Sequence, residues 1–238
     1  CANNPTVAIT ATVNAGSTTG IWSGGNGTFN ASNTSLSITY IPTPAEITAG
    51  SANLVLTSTN NGTCLPEKDS LLITFTSAPV VFAGNNLISC INNASTVLSG
   101  NVSGPTSTGY WSGGSGTYSP DSTFLNSTYT PSAAEITAGS VNLILNSTNN
   151  GNCNIVKDTV VINFTNAPTV NAGAPLSVCK NNATTILSGL VAGPTTTGIW
   201  SGASGIFSPN NTALTATYTP SASELSAGSA SLILSSTN

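Results

Sequence analysis

An 89-residue repeat runs through the whole chain and constrains its fold more than any other feature. The recurring positions are Trp22, Trp111 and Trp200; Tyr40, Tyr129 and Tyr218; Glu46, Glu135 and Glu224; and Cys1, Cys90 and Cys179. A repeat of this length can form a small domain with its own core, whereas a solenoid unit has only about 20–45 residues. We therefore expect three units: 1–78, which lacks the first strand of the repeat, 79–167, which is complete, and 168–238, which lacks the last strand.

The composition excludes several classes of function. Charged residues make up 4% of the chain, only three of them are Lys or Arg, and there is no histidine. The basic surface that binds nucleic acid is therefore missing, and no apolar run reaches the roughly 18 residues of a membrane-spanning helix. Because 39% of the residues are hydrophobic and regularly patterned, we expect a folded protein without direct membrane insertion or nucleic-acid partners.

Alternation of apolar and polar residues predicts β-strands in every unit. In the second unit, "TVLSGNV", "SVNLILNST" and "DTVVINFT" each alternate with a period of two. The predicted inward positions are Leu98, Gly100, Val102, Val141, Leu143, Leu145, Val160, Ile162 and Phe164, and the last three correspond to Leu71, Ile73 and Phe75 in the first unit. Short strands separated by Gly, Pro and Asn predict an all-β chain of tandem antiparallel β-sandwiches of the immunoglobulin-like type.

One segment of each unit predicts a short helical turn instead. The sequences "TPAEITAG", "SAAEITAG" and "SASELSAG" place Ser or Thr three residues before Glu, with a glycine four residues after that Glu. This is the pattern of a capping box with a glycine at the C-terminal cap. Glu46, Glu135 and Glu224 are therefore expected to cap helices; the alternative role, a general acid, lacks a histidine or a paired carboxylate beside it.

The tryptophan phrase also recurs, as "TGIWSGGNGTF", "TGYWSGGSGTY" and "TGIWSGASGIF". A phosphate-binding loop would lead into a helix, usually with a lysine, whereas this phrase leads into another β-like stretch. Strand C of an immunoglobulin-like sandwich commonly buries a tryptophan. We therefore expect Trp22, Trp111 and Trp200 in the cores, with the glycines allowing positive φ in a tight hairpin or bulge.

These phrases together resemble a known family. "APVVFAG", "TGYWSGGSGTYSP", "YTPSAAEITAGS", "GNC" and "KDT" are similar to the PKD-like or immunoglobulin-like tandem repeats of giant surface adhesins of Bacteroidetes, among them gliding-motility adhesins. The resemblance covers the whole chain. It implies secretion by the type IX system, an extracellular location at the cell surface, and display as a long filament or stalk.

The resemblance also implies a modification. Bacterial O-glycosylation in this group acts on Ser or Thr after Asp, which makes Ser70, Ser122 and Thr159 candidate acceptors. The alternative is that the preceding aspartates only begin a strand or turn.

The cysteine spacing favours disulfides over a metal site. Zinc sites use close cysteine pairs, whereas Cys1, Cys64, Cys90, Cys153 and Cys179 are 63 or 26 residues apart. In the sandwich, Cys1 lies in the A–B loop at one pole and Cys64 in the F–G loop at the other, roughly 20 Å away, too far for a disulfide. We expect Cys1 to pair with Cys153 of the next unit, and Cys64, Cys90 and Cys179 to pair with cysteines outside 1–238. No metal or other cofactor is expected.

Three functions were compared on this basis. The first is a stiff, non-catalytic stalk of a cell-surface adhesin or filament, whose partners are neighbouring repeats, other copies of the filament or surface glycans. The second is a carbohydrate-binding module, which would use solvent-exposed tryptophan or tyrosine side chains and is distinguished from the stalk by whether Trp22, Trp111 and Trp200 are exposed. The third, an enzyme, is disfavoured because no group of titratable side chains is evident.

Overall fold

The computed structural model describes residues 1–237. The chain divides into two compact units, one formed by Cys1–Asn86, Thr96–Thr130 and Asn142–Val161, and the other by Leu87–Ser95, Pro131–Val141 and the chain from Ile162 onward. We refer to residues 1–78, 79–167 and 168–238 as the first, second and third copies of the repeat.

The first copy forms two antiparallel sheets. Its elements are β1 (Val7–Thr10), β2 (Thr19–Gly24), β3 (Thr28–Phe29), β4 (Ser37–Ile41), α1 (Pro44–Ala49), β5 (Ser51–Thr59) and β6 (Lys68–Thr74). The sheet orders are β1-β4-β3 and β2-β5-β6. These match strands B-E-D and C-F-G of an immunoglobulin sandwich.

The core of the first copy lies between these sheets. Ile9, Ile38 and Tyr40 enter it from one sheet, and Trp22 and Leu54 enter it from the other. Tyr40 and Leu54 are fully buried. Packing from both sides makes this copy a β-sandwich, and α1 connects the two sheets at the E–F corner.

The second copy adds strands at the beginning of the sandwich. Its elements are β7 (Val80–Phe82), β8 (Leu87–Cys90), β9 (Thr96–Val97), β10 (Asn101–Ser103), β11 (Gly109–Ser112), β12 (Thr117–Ser119), β13 (Thr128–Thr130), α2 (Ala133–Ala138), β14 (Ser140–Ser147) and β15 (Lys157–Thr165). The sheets are β12-β13-β9, β10-β7 and β11-β14-β15-β8. The parallel pairing of β8 with β15 places the second strand of this copy beside its last strand.

The third copy repeats the arrangement with fewer strands. Its elements are β16 (Thr169–Asn171), β17 (Thr185–Ile186), β18 (Leu190–Ala192), β19 (Gly198–Ser201), β20 (Ile206–Ser208), β21 (Thr217–Thr219), α3 (Ala222–Ala227) and β22 (Ile233–Ser236). The sheets are β17-β21-β20, β16-β18 and β19-β22. Leu187, Val191, Trp200, Tyr218 and Leu234 form its buried core. The chain is therefore all-β, built of tandem immunoglobulin-like sandwiches with one short helix in each copy.

Three local predictions differ from the structure. The strand predicted through Leu98, Gly100 and Val102 is interrupted between β9 and β10, although Leu98 and Val102 are buried. Leu71 is 37% exposed, because β6 is the edge strand of its sheet, whereas β15 lies between β14 and β8. The glycines after Trp22 lie in a crossover and not in a hairpin, because β2 and β3 belong to different sheets.

Candidate functional site

The loop after Trp22 is held by a buried tyrosine–glutamate pair. The Tyr40 hydroxyl donates to Glu46 Oε1 at 2.7 Å and accepts from the Gly27 N–H at 2.9 Å. The Asn26 N–H donates to the same Glu46 oxygen at 2.7 Å. A side chain at Gly27 is excluded, since its Cβ would lie 2.2 Å from the Ile41 carbonyl oxygen. This cluster connects the loop to the helix α1.

Glu46 also forms the cap of α1. Its Oε2 accepts from the Thr43 N–H at 2.9 Å, while Thr43 Oγ1 accepts from the Glu46 N–H at 3.3 Å. Gly50 ends the helix with a φ of 83°. Burial alone would raise the pKa of Glu46, but hydrogen bonds from Tyr40, Asn26 and Thr43 outweigh it and lower the pKa to about 2. A carboxylate held ionised in this way is suited to capping and not to donating a proton at neutral pH.

The other two copies repeat this arrangement. Glu135 is buried and forms a capping box with Ser132 at the start of α2. Glu224 forms the same box with Ser221 and accepts from the Tyr218 hydroxyl at 2.7 Å. Backbone hydrogen bonds from Ser221 and Ser204, together with the Tyr218 hydroxyl, lower the pKa of Glu224 to about 2. All three glutamates therefore lie at helix caps.

The three tryptophans lie in the interior. Trp22, Trp111 and Trp200 are only 4%, 2% and 1% exposed. A buried indole cannot stack on a sugar, so these residues do not provide the solvent-exposed aromatic platform that the carbohydrate-binding hypothesis required.

The indole of the first copy differs from the other two. Trp111 Nε1 donates to the Leu125 carbonyl at 3.0 Å, and Trp200 Nε1 donates to the Leu214 carbonyl at 3.2 Å. Trp22 Nε1 is buried without a hydrogen-bond partner among residues 1–237. The first copy has Ala11 where the others have glycine, and a Cβ at Gly100 would lie 2.8 Å from the Trp111 ring. We attribute the missing hydrogen bond to the Ala11 methyl group.

A disulfide joins the first copy to the second. Cys1 and Cys153 are bonded, with 5.0 Å between their Cα atoms and a separation of 152 positions in the sequence. Cys1 precedes β1, and Cys153 lies in the connection between β14 and β15. This is the pair expected from the placement of the cysteines at facing poles of consecutive copies.

Asparagines beside this disulfide form a reciprocal set of hydrogen bonds. Asn3 Nδ2 donates to the Asn154 carbonyl at 3.0 Å. The Asn154 N–H donates to Asn3 Oδ1 at 3.0 Å, and Asn154 Nδ2 donates to the Asn3 carbonyl at 2.8 Å. Asn4 Nδ2 adds a bond to the Asn152 carbonyl at 3.1 Å. We call these residues and the disulfide the junction cluster.

Sequence reasoning missed the asparagines of the junction cluster. A pair of asparagines recurs at 3–4, 92–93 and 181–182, and this recurrence indicates the same structural role in each copy. Because asparagine is common throughout the chain, the recurrence does not stand out from the rest of the sequence. The position equivalent to Asn154 in the first copy is Leu65, which follows Cys64 and is 83% exposed. The first copy therefore lacks the side-chain donor that Asn154 provides.

The other cysteines are not in disulfides in the part of the chain that the structure describes. Cys64 and Cys179 are exposed, whereas Cys90, at the end of β8, is half-buried. Their pairing with cysteines outside 1–238 stays a prediction.

The three candidate glycosylation residues lie in different settings. Ser70 on β6 and Thr159 on β15 are exposed, and Ser122, in the connection between β12 and β13, is half-buried.

Residues 1–237 contain no group of three or more His, Cys, Asp or Glu side chains that could hold a metal ion. None of their helices has the length and apolar character to cross a membrane.

Comparisons with known proteins identify no family. No family model and no curated protein matches the chain. Among solved structures, the chain is similar to titin domains I67–I69 (11% identity, 84% of this chain and 75% of that chain, TM-score 0.39). It is also similar to extracellular domains 3–5 of Drosophila OTK (9%, 84% and 73%, 0.32) and to Sidekick-1 immunoglobulin domains 1–4 (10%, 84% and 57%, 0.32). The assignment of an immunoglobulin-like β-sandwich rests on the strand order of the chain itself.

Proposed function

We propose that this chain is a stiff, non-catalytic stalk segment of an extracellular cell-surface adhesin or filament, acting in surface attachment or gliding motility. The observation that carries the proposal is the junction cluster, because it links consecutive copies at a second point besides the backbone. Two connections between neighbouring domains oppose bending and rotation in a way that a single linker does not.

The strength of this link supports the proposal. In the chain-entropy model, closing a loop of about 150 residues stabilises the folded state by about 5 kcal/mol. The four hydrogen bonds of Asn3, Asn4 and Asn154 act beside the disulfide and limit rotation about it. The linker between the copies contains Pro79, which favours a semi-rigid connection over a flexible coil.

The proposed extracellular location is supported by the same disulfide, since such bonds persist mainly in oxidising compartments. Secretion by the type IX system and membership of the Bacteroidetes adhesin family are proposed from the sequence phrases alone. The proposed partners are neighbouring repeats, other copies of the filament and surface glycans, without nucleic acid or direct membrane insertion. We also propose that 1–78, 79–167 and 168–238 are the three repeat domains.

O-glycosylation is proposed at Ser70, Ser122 and Thr159. Ser70 and Thr159 are exposed on the last strand of their copies, which supports access for a transferase. Intact mass spectrometry of the protein isolated from its native host tests this. Glycan mass at these residues, lost in Ser70→Ala and Thr159→Ala, is expected; an unmodified mass would contradict it.

Stiffness at the junction cluster is the direct test of the stalk proposal. Dyes placed through non-canonical amino acids at Thr10 and Thr117, which are exposed on the first and second copies, would report the distance between copies by single-molecule energy transfer. We expect a narrow distance distribution in the oxidised chain and a broad one in the variant Cys1→Ser/Cys153→Ser. The control Cys64→Ser should match the unaltered chain. An equally broad distribution with the disulfide intact would overturn the proposal.

A further inference from the structure

The chain contains three Asn-Gly dipeptides, which lie at Asn26-Gly27, Asn61-Gly62 and Asn150-Gly151. In this dipeptide the glycine nitrogen can attack the asparagine side-chain carbon Cγ, because glycine has no Cβ to hinder the approach. The reaction forms a succinimide ring and releases ammonia, and water then opens the ring to aspartate or isoaspartate. The dipeptide is the same at all three sites, so differences in its reactivity depend on the surrounding structure.

The glycine nitrogen of the first dipeptide is held by the tyrosine–glutamate pair. The Gly27 N–H donates to the Tyr40 hydroxyl at 2.9 Å, and the Asn26 N–H donates to Glu46 Oε1 at 2.7 Å. Gly27 also has no room to turn, since a Cβ on it would overlap the Ile41 carbonyl oxygen. Removing the Gly27 proton near the ionised Glu46 carboxylate is unfavourable, because it places two like charges close together. Asn26 is therefore protected, although its side chain is exposed.

The glycines of the other two dipeptides lie in open space. The Gly62 and Gly151 N–H groups donate no hydrogen bond to any of the residues 1–237 that the structure describes. Both glycines are exposed, and a Cβ on either one would have no atom within 4 Å beyond its own chain neighbours. Solvent can therefore remove the proton, and the nitrogen can turn towards Cγ without displacing a neighbour.

The asparagine side chains at these two sites are held in the same way. Asn61 Nδ2 donates to the Ser58 carbonyl at 3.1 Å, and Asn150 Nδ2 donates to the Ser147 carbonyl at 3.2 Å. Asn150 Oδ1 is buried and has no hydrogen-bond partner among residues 1–237. One hydrogen bond must therefore break before each ring can close. This slows the reaction relative to an unfolded chain but leaves the attacking nitrogen available.

We propose that Asn61 and Asn150 are sites of spontaneous deamidation, whereas Asn26 is protected by Tyr40. In the reaction, a bond forms between the glycine nitrogen and Cγ, and the bond between Cγ and Nδ2 breaks. The glycine proton passes to solvent, and the leaving Nδ2 group takes up a proton and departs as ammonia. Addition of one water molecule to the ring gives a carboxylate, so each event adds one negative charge to a chain whose net charge is −4.

Deamidation at Asn150 changes the turn that carries Cys153 of the junction cluster. The Cys153 N–H donates to the Asn150 carbonyl at 3.0 Å and closes this turn. Conversion to aspartate replaces the Nδ2 donor by an oxygen that faces the Ser147 carbonyl. Conversion to isoaspartate routes the main chain through Cβ and Cγ, so the carbonyl that accepts from Cys153 leaves the main chain. Either product removes a contact that positions the turn. The proposal does not depend on the stalk function.

Timed peptide mapping of the full chain by mass spectrometry tests the proposal. The folded chain and the chain denatured in guanidinium chloride are incubated at the same mildly alkaline pH, and the aspartate and isoaspartate formed at each site are measured. We expect similar rates at all three sites in the denatured chain. In the folded chain, Asn61 and Asn150 should react at least about tenfold faster than Asn26, because the hydrogen bond, the packing and the nearby charge at Gly27 oppose the attack there.

Tyr40→Phe tests the protection of Asn26 directly, because it removes the hydroxyl that accepts from Gly27 and keeps the ring in the core. It should raise the rate at Asn26 about tenfold. The rate at Asn61 should stay unchanged, and it also serves as the folding control, since unfolding of the first copy would speed the reaction at both sites.

Tyr218→Phe is the matched variant in the third copy. It removes the hydroxyl that accepts from the Gly205 N–H at 3.0 Å, but Ser204 and not asparagine precedes this glycine. All three deamidation rates should therefore stay unchanged. The proposal would be overturned if Asn26 reacted as fast as Asn61 and Asn150 in the folded chain. It would also be overturned if those two sites stayed intact under conditions in which the denatured chain reacts, or if Tyr40→Phe left the rate at Asn26 unchanged.

Discussion

Asn3 and Asn154 exchange three hydrogen bonds between consecutive copies of the repeat, at 3.0, 3.0 and 2.8 Å. Both the side chain and the backbone of each residue take part, so replacing either side chain by an apolar one removes at least one bond. The pair lies beside the disulfide of Cys1 and Cys153 and defines how the two loops meet.

Replacing Asn154 by leucine, the residue found at the equivalent position of the first copy, should weaken the junction cluster. The change removes the side-chain donor of an exposed hydrogen bond to the Asn3 carbonyl, so we expect a loss of about 0.5–1.5 kcal/mol in the free energy of unfolding. Urea denaturation measures this. Asn152→Thr is the matched control, because Asn152 contributes only its carbonyl, and it should change stability by less than about 0.5 kcal/mol. Equal effects of the two changes would contradict the assigned role of Asn154.

Placing alanine at Gly100 should reproduce in the second copy the indole arrangement of the first. The new Cβ would lie 2.8 Å from the Trp111 ring and 2.9 Å from the Leu125 carbonyl oxygen. We expect a cost of about 1–3 kcal/mol from overpacking. The Trp111 indole N–H should also exchange faster with solvent deuterium, as followed by NMR.

The reverse change, Ala11→Gly, is the control for that experiment. It makes room for Trp22 Nε1 to reach the Leu36 carbonyl, and this gain opposes the roughly 0.5–1 kcal/mol that glycine costs through chain entropy. Slower exchange of the Trp22 indole N–H is expected. Unchanged exchange would show that Ala11 does not cause the missing bond.

Acid should weaken the first copy through Glu46. Its pKa of about 2 in the folded chain lies below the ordinary value of 4.5, so its stabilisation is complete above about pH 4.5 and is lost as the pH falls towards 2. Glu46→Gln should remove this part of the pH dependence and cost about 1–3 kcal/mol at neutral pH. Denaturation at pH 7, 4 and 2 measures both effects. Glu67→Gln, at an exposed position, is the control and should leave the curve unchanged.

The disulfide connectivity can be checked chemically. Digestion of the chain without reductant should yield a peptide pair joined through Cys1 and Cys153, and reduction should lower the free energy of unfolding by about 2–5 kcal/mol. Mass spectrometry identifies the pair. A Cys90–Cys153 peptide would contradict the connectivity and the strand positions that place these cysteines at opposite poles.

The strands, the helix caps and the tryptophan positions could be predicted because the same residue pattern occurs in all three copies. A pattern that recurs three times is a stronger indication of structure than one found in a single segment. The alternation around Leu143 and Leu145 correctly indicated a buried strand, and both residues are fully buried. The exposure of Leu71 could not be predicted from the same pattern, because burial at a sheet edge depends on whether another strand lies beside it.

Individual side-chain hydrogen bonds could not be predicted, because they depend on interatomic distances that the spacing of residues in the sequence does not determine. Trp22 Nε1 lacks the carbonyl partner that the indoles of the other two copies have, and a hydrophobic pattern carries no information on such a hydrogen bond. The bonds of Asn3 with Asn154 join residues 151 positions apart, and the abundance of asparagine hid them.

The disulfide between Cys1 and Cys153 also determines the path of tension through the chain. A pulling force applied at Cys1 passes through the two sulfur atoms to Cys153 and continues along the backbone from there. The residues between the two cysteines carry none of this load, so the sandwich of the first copy cannot be unravelled by traction while the bond is intact. Mechanical resistance in this region is therefore set by a covalent bond and not by the hydrogen bonds of its sheets.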